Sequence, residues 1–197
     1  MTATLRRHGA TMVERNGRPV AAHFGSPASE AAVCRSRVGL ADRSDRATLE
    51  VRGGAKGVDQ ALDELTHLGT GVRWVRCSEQ RAAVRCDGHD VDGCTSVMLR
   101  AEDVTIVDVT EDYAGIELIG PNAGAVLRAH LVEETAPVVV VRSDEACAEL
   151  IVAHGHAPAV WNGLLNTGDP YGISCVGLEA LEHLGVSERL DRLRTHG

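Results

Sequence analysis

Asp87, Asp90 and Asp92 crowd one short segment, Asp87-Gly-His-Asp-Val-Asp92-Gly93. Carboxylates so placed can accept pairs of N–H donors, or hold and pass a proton. A second acidic position, Glu145, follows Arg142 in a polar stretch between two apolar runs. Arginine grips carboxylate in a planar fork, so Arg142 could hold an anionic group. The plainer alternative for both places is turn chemistry, since Asp commonly decorates solvated turns and a hairpin-tip glutamate commonly faces water. Cys77, Cys86, His89 and Cys94 offer soft ligands, but no Cys-x-x-Cys pair anchors them, so no metal site is assigned. The acidic segment is not an EF-hand loop either: Gly88 would take its first ligand position and Leu99 its twelfth. No serine sits in a nucleophile elbow, and the glycines lack phosphate-loop or dinucleotide spacing.

The elements that must position these residues are announced by a duplication. Asp42-Arg-Ser-Asp45-Arg-Ala-Thr-Leu-Glu50-Val-Arg-Gly53 is echoed 66 residues later by Asp108-Val-Thr-Glu-Asp112-Tyr-Ala-Gly-Ile-Glu117-Leu-Ile-Gly120. With Glu111 counted as one extra residue, Asp, Ser/Thr, Asp, Ala, Leu/Ile, Glu, Val/Leu and Gly fall into register. Two copies are too few for a solenoid, which needs about three stacked units, and predict pseudo-symmetric halves with a cleft between them. In the first copy Thr48, Glu50 and Arg52 alternate with Ala47, Leu49 and Val51, which reads as a half-buried strand with a polar outer face. The second copy, Ala114 to Ile119, is more apolar and is expected to be more central in its sheet. Helical spacing follows each glycine, in Val58, Ala61, Leu62 and Leu65 and again in Ala123, Val126, Leu127 and Leu131. The repeated unit is therefore an Asp-rich turn, a strand, a glycine turn and a helix.

Elsewhere, residues 1–27 read as loop, with turn signals at His8-Gly9, Asn16-Gly17 and Pro19. Ser29 is expected to cap a helix through Arg37, with Cys34 packed in the core. Short strands are expected at Val72–Val75, Ala82–Cys86, Thr95–Leu99 and Val104–Val109, with the acidic segment a tight loop. Pro137–Arg142 and Glu149–Val152 read as an antiparallel pair. Ala157–Leu165 reads as a helix with Pro158 at its start and Trp161 inside, followed by a last helix at Val176–Leu184 and a frayed Arg-rich tail. His154 and His156 read as surface residues. Strands and helices interleave without regular βαβ crossovers, so the fold class is α+β.

Composition narrows the setting. Aromatics amount to Phe24, Trp74, Tyr113, Trp161 and Tyr171, which leaves the core to Val, Leu, Ile and Ala. The six cysteines, without close pairing or an export signal, read as reduced cytoplasmic thiols. No apolar run reaches the roughly 20 residues of a membrane span. The net charge is −8 and no aromatic residues interleave with basic ones, which disfavours nucleic acid as a partner. Lys56 is the only lysine among 20 basic residues, a bias that GC-rich coding explains better than a binding role.

These residues carry a resemblance. His8-Gly-Ala-Thr-Met-Val13, Gly17, Glu30, Ala32-Val-Cys-Arg35 and Val38-Gly-Leu-Ala-Asp-Arg-Ser44 resemble the opening of the glycine cleavage T-protein (aminomethyltransferase) family. Asp108-Val-Thr through Ile119-Gly-Pro-Asn-Ala123, Ala148–Val152, His156–Trp161 and Tyr171–Ala180 follow the same family's order. The resemblance implies one folate-binding-like domain over 1–197, with a T-protein-like core at about 8–184, built from pseudo-repeated strand–turn–helix units around a central cleft. It implies tetrahydrofolate as cofactor and one-carbon transfer, of aminomethyl or methyl type, as activity. Residue by residue, Asp92 is the one candidate for the catalytic aspartate of the family's Gly-Gly-x-x-Asp-Asp loop. Glu145 stands where the pterin-binding glutamate does, across a three-residue gap; Arg142, by its chemistry and not by a matched motif, could hold the glutamyl tail.

The chain also departs from the family. The C-terminal barrel domain and a segment before Asp108 have no counterpart. Asp45 and Arg46 replace the His and Met of the family's Asp-Val-Ser-His-Met. The late Gly-Leu-Gly-Ala-Arg-Asp reads Gly177-Leu-Glu-Ala-Leu-Glu182, without its arginine. The chain is also similar in length to the sarcosine oxidase gamma subunit, a T-protein-like relative. Three readings follow: a folate-dependent one-carbon transferase acting on a small donor, a non-catalytic gamma-type subunit docked on a larger flavoprotein, and a binder that kept the cleft and lost the chemistry.

Overall fold

The computed structural model describes residues 1–68, 71–133, 138–143 and 145–185, with backbone alone for residues 133, 142 and 143. The chain divides into two compact units, Met1–Asp45 with Ala114–Gly197, and Arg46–Tyr113.

The first unit starts with helix α1 (Thr2–Arg7) and a hairpin, β1 (Thr11–Arg15) and β2 (Arg18–His23). The sequence reading of residues 1–27 as loop is corrected here. Asn16 and Gly17 both take positive φ, 52° and 74°, which is the geometry a tight two-residue hairpin demands. Helix α2 (Pro27–Ser36) begins earlier than expected, because Ser26 rather than Ser29 is the cap: its hydroxyl accepts the Ser29 N–H at 3.4 Å. Strands β3 (Val38–Asp42) and β8 (Tyr113–Ile119) pair antiparallel at the middle of a five-stranded sheet. Strands β10 (Cys147–Ala153) and β9 (Val138–Ser143) extend the sheet beyond β8, and β11 (Ile173–Val176) flanks β3 in parallel. Val176 therefore ends a strand instead of opening a helix, and the last described helix is α7 (Leu178–His183).

The two faces of this sheet differ. Leu40, Ile116, Leu118, Leu150 and Val152 face helices α5 (Ala123–Glu133) and α6 (Ala157–Gly168), where Val126, Leu127, Val160, Trp161 and Leu164 complete the core. On the other face Ala41, Ile119 and Val176 meet Ala31 and Cys34 of α2 and Leu178 and Leu181 of α7. Glu30 clasps this layer: its carboxylate accepts the Phe24 and Gly177 N–H groups, each at 2.8 Å.

The second unit is a four-stranded antiparallel sheet in the order β5 (Arg73–Ser78), β6 (Arg81–Asp87), β4 (Arg46–Gly53), β7 (Val104–Asp108). Helices α3 (Ala55–Leu65) and α4 (Val91–Met98) cover one face, and Val58, Leu62, Leu65, Cys94 and Met98 pack on Leu49, Val51 and Val84. Helix α4 replaces the strand expected at Thr95–Leu99. Thr95 and Val97 favour strand locally, but burying Cys94 and Met98 together requires their four-residue helical spacing. The duplication is thus realised as β4–α3 in one unit and β8–α5 in the other. The polar side of β4 is not the solvated face that alternation implied. Thr48 and Glu50 are buried; Arg85 donates to the Thr48 hydroxyl at 2.7 Å, and Glu50 is paired with Arg52 and Arg81.

Candidate functional site

The Asp-rich turns of the two copies are built alike. Asp42 Oδ1 accepts the Ser44 N–H at 3.2 Å and its hydroxyl at 2.6 Å, and Asp108 Oδ1 accepts the Thr110 N–H at 2.9 Å. Both are Asx turns, in which a short carboxylate satisfies the backbone two residues ahead. Their surroundings differ, since Asp42 is buried and Asp108 exposed. Burial pushes the Asp42 carboxyl up to about 6, against the Ser44 hydrogen bonds, which favour its ionised form. Its Oδ2 has no hydrogen-bond partner among the described residues.

On the opposite face of the same sheet lies a buried polar cluster. Glu117 is directly across from Ala41 in the β3–β8 register, and alternation sends it to the side away from Asp42. Arg43 continues the pairing through its N–H to Gly115 O at 2.9 Å, and so shares the face of Glu117. Its guanidinium donates to Glu117 Oε2 at 2.7 Å and Asp45 Oδ1 at 3.1 Å. Cys147 Sγ donates to Glu117 Oε1 at 3.4 Å. Burial opposes the charge on Arg43, but Glu117 and Asp45, with help from Glu149, outweigh it and hold the guanidinium firmly protonated. The hairpin of β1 and β2 secures the turn: Asn16 donates to Asp45 O at 3.0 Å and Arg18 to Ser44 O at 3.2 Å. The sequence carried one signal for this cluster, a glutamate at the same register position in both copies (Glu50 and Glu117) within otherwise apolar strands.

Glu145 sits at the tip of the β9–β10 hairpin, exposed, with its backbone seated on α5. Gly120 N–H donates to Ala146 O at 2.8 Å, and Gly124 N–H to Glu145 O at 3.3 Å. Its two carboxylate oxygens each accept one nitrogen of Arg128, Nη1 at 3.2 Å and Nη2 at 3.4 Å. Arg142 lies on β9 across from Glu149; its side chain lies outside the described residues. Asp92 belongs to the second unit, exposed in the first turn of α4. Just before it, ligand atoms of Asp87, His89 and Asp90 lie within 4.8 Å of one another. The four soft ligands considered from sequence are not alike: Cys86 and Cys94 are buried, Cys77 and His89 exposed. Cys34 is in the core as expected, where burial pushes its thiol up to about 12. No helix among the described residues is long and apolar enough to cross a membrane.

No family model matches this sequence, and no curated protein matches it. Among solved structures, the chain is similar to the glycine cleavage system aminomethyltransferase T from Bartonella henselae, at 21% identity and a TM-score of 0.67. That likeness covers 90% of this chain but 58% of the aminomethyltransferase, so this chain spans little more than half its length. It is also similar to a chain of the heterotetrameric sarcosine oxidase from Corynebacterium sp. U-96, at 14% identity and a TM-score of 0.54, covering 77% of this chain and 95% of that one. The class is thereby defined at the level of fold: α+β, of the aminomethyltransferase type.

Proposed function

We propose that the chain binds a reduced folate and acts on a one-carbon unit carried by it. The observation that supports this reading is the setting of Glu145. Its carboxylate already accepts two N–H donors from one planar N–C–N group, the Arg128 guanidinium. The amino-lactam edge of a pterin offers the same paired donors, so the acceptor's chemistry fits the ligand. Arg142 would take a glutamyl carboxylate. Asp92, exposed in the first turn of α4, would accept a proton from a folate nitrogen. Titration of the purified protein with tetrahydrofolate, followed by calorimetry, tests the reading. Saturable binding that Glu145→Ala weakens supports it, and Asp92→Asn is expected to suppress turnover with little effect on affinity. Binding untouched by either substitution would mean that other residues hold the ligand.

A second reading is favoured by one specific observation, the 95% coverage of a chain that belongs to a heterotetramer. In it the protein is a gamma-type subunit of a sarcosine oxidase-like flavoprotein. Failure to bind folate, together with flavin absorbance in the tagged chain's affinity eluate, would select this alternative.

A further inference from the structure

We propose that Arg128 is a built-in competitor for the ligand edge of Glu145, so that a pterin must displace it to bind; this rests on the folate reading above. The hairpin tip is fixed by its backbone, through Gly120 N–H to Ala146 O and Gly124 N–H to Glu145 O, and not by the side-chain pair. The backbone that carries Glu145 therefore keeps its position against the start of α5 when Arg128 leaves. Both side chains are largely exposed, at 64% for Arg128 and 78% for Glu145, so nothing buried has to move for the exchange. Arg128 fills both oxygens of the carboxylate, and a ligand offering a planar pair of N–H donors needs both. A guanidinium and a pterin amino-lactam edge therefore compete for one acceptor in a single geometry. An exposed ion pair of this kind is weak, and its strength sets the handicap: about two- to five-fold in affinity. Screening adds a signature. Salt loosens the ion pair while leaving a neutral pterin edge nearly unaffected, so apparent affinity for such a ligand should rise with ionic strength.

The test uses 6-methyltetrahydropterin, which carries the edge without the anionic glutamyl tail, titrated calorimetrically into the full chain. Arg128→Met is expected to tighten binding about two- to five-fold and to abolish the salt-induced gain seen in the native protein. Arg128→Lys, which keeps a charge but loses the fork, is expected to fall between them. If the native protein binds, Glu145→Ala weakens binding, and Arg128→Met matches the native affinity at every salt concentration, the competitor is refuted while the folate reading stands. If neither the native protein nor Arg128→Met binds the pterin or tetrahydrofolate, both fall together.

Discussion

Replacing Asp42 by Asn should make the protein more stable at neutral pH and leave it unchanged at acid pH. Burial raises this carboxyl from 3.8 to about 6 in the folded chain. Between those values the unfolded chain has released the proton and the folded chain retains it, so stability falls as pH rises, by about 1.4 kcal/mol per pH unit. The whole window amounts to about 3 kcal/mol, fully present below pH 3.8 and lost by pH 6. Asn is close to Asp in shape, and its side-chain oxygen can still accept the Ser44 N–H and hydroxyl. Its amide nitrogen takes the place of Oδ2, which has no partner among the described residues, so one unsatisfied atom replaces another. The substitution thus removes the charge-burial cost without deleting a bond. Urea denaturation from pH 4 to 8 measures it: the variant's curve should separate upward from the native one through pH 4–6 and run parallel above, about 2–3 kcal/mol more stable. Parallel curves throughout, or a variant less stable at pH 8, would show that the carboxylate is solvated or paired and that the burial argument is wrong.

Arg43→Met should cost about 3–5 kcal/mol at neutral pH, because Glu117 and Asp45 lose the cation that compensates their burial; a double variant with Glu117→Gln should recover part of the loss, read from the same denaturation curves. Gly120 holds φ at +132°, and a Cβ there would run into the Arg37 carbonyl oxygen, so Gly120→Ala should lower Tm clearly, whereas Gly93→Ala, with open space around it, should not. Iodoacetamide at pH 8 should modify exposed Cys77 first, as followed by intact mass. Cys34 and Cys175, pushed by burial up to about 12 and about 11, should resist until the chain is unfolded.

The duplicated strand, glycine turn and helix were legible because burial imposes a period on sequence, and Leu49/Val51 and Ile116/Leu118 obey it. Hairpin β1–β2 was not, since β1 is almost wholly exposed and shows no alternation; Asn16-Gly17 was its one local mark. Helix α4 was misread because Thr95 and Val97 favour strand, while the deciding contacts of Cys94 and Met98 come from distant strands. The candidate site was least legible. Arg43 and Glu117 are far apart in sequence and adjacent in the sheet, and nothing local foretells a charge pair that tertiary structure alone creates. Glu145 could be singled out in advance, but its engagement by Arg128 depends on where the hairpin settles on α5.

The β3–β8 pairing has a consequence for how the chain acquires its structure. Asp42 faces Ile116, so the central ladder of the first unit cannot form until all of Arg46–Tyr113 has been made. An unfolded loop of that length would make the closure entropically costly and slow. The intervening segment has a core of its own, so its folding first would gather the loop before the ladder closes. During synthesis β3 would then stand with its backbone edge unpaired until β8 has been made. Substitutions that weaken the core around Leu49 and Val84 should then lower the yield of folded protein through aggregation of the unclosed sheet, even where the finished first unit is untouched.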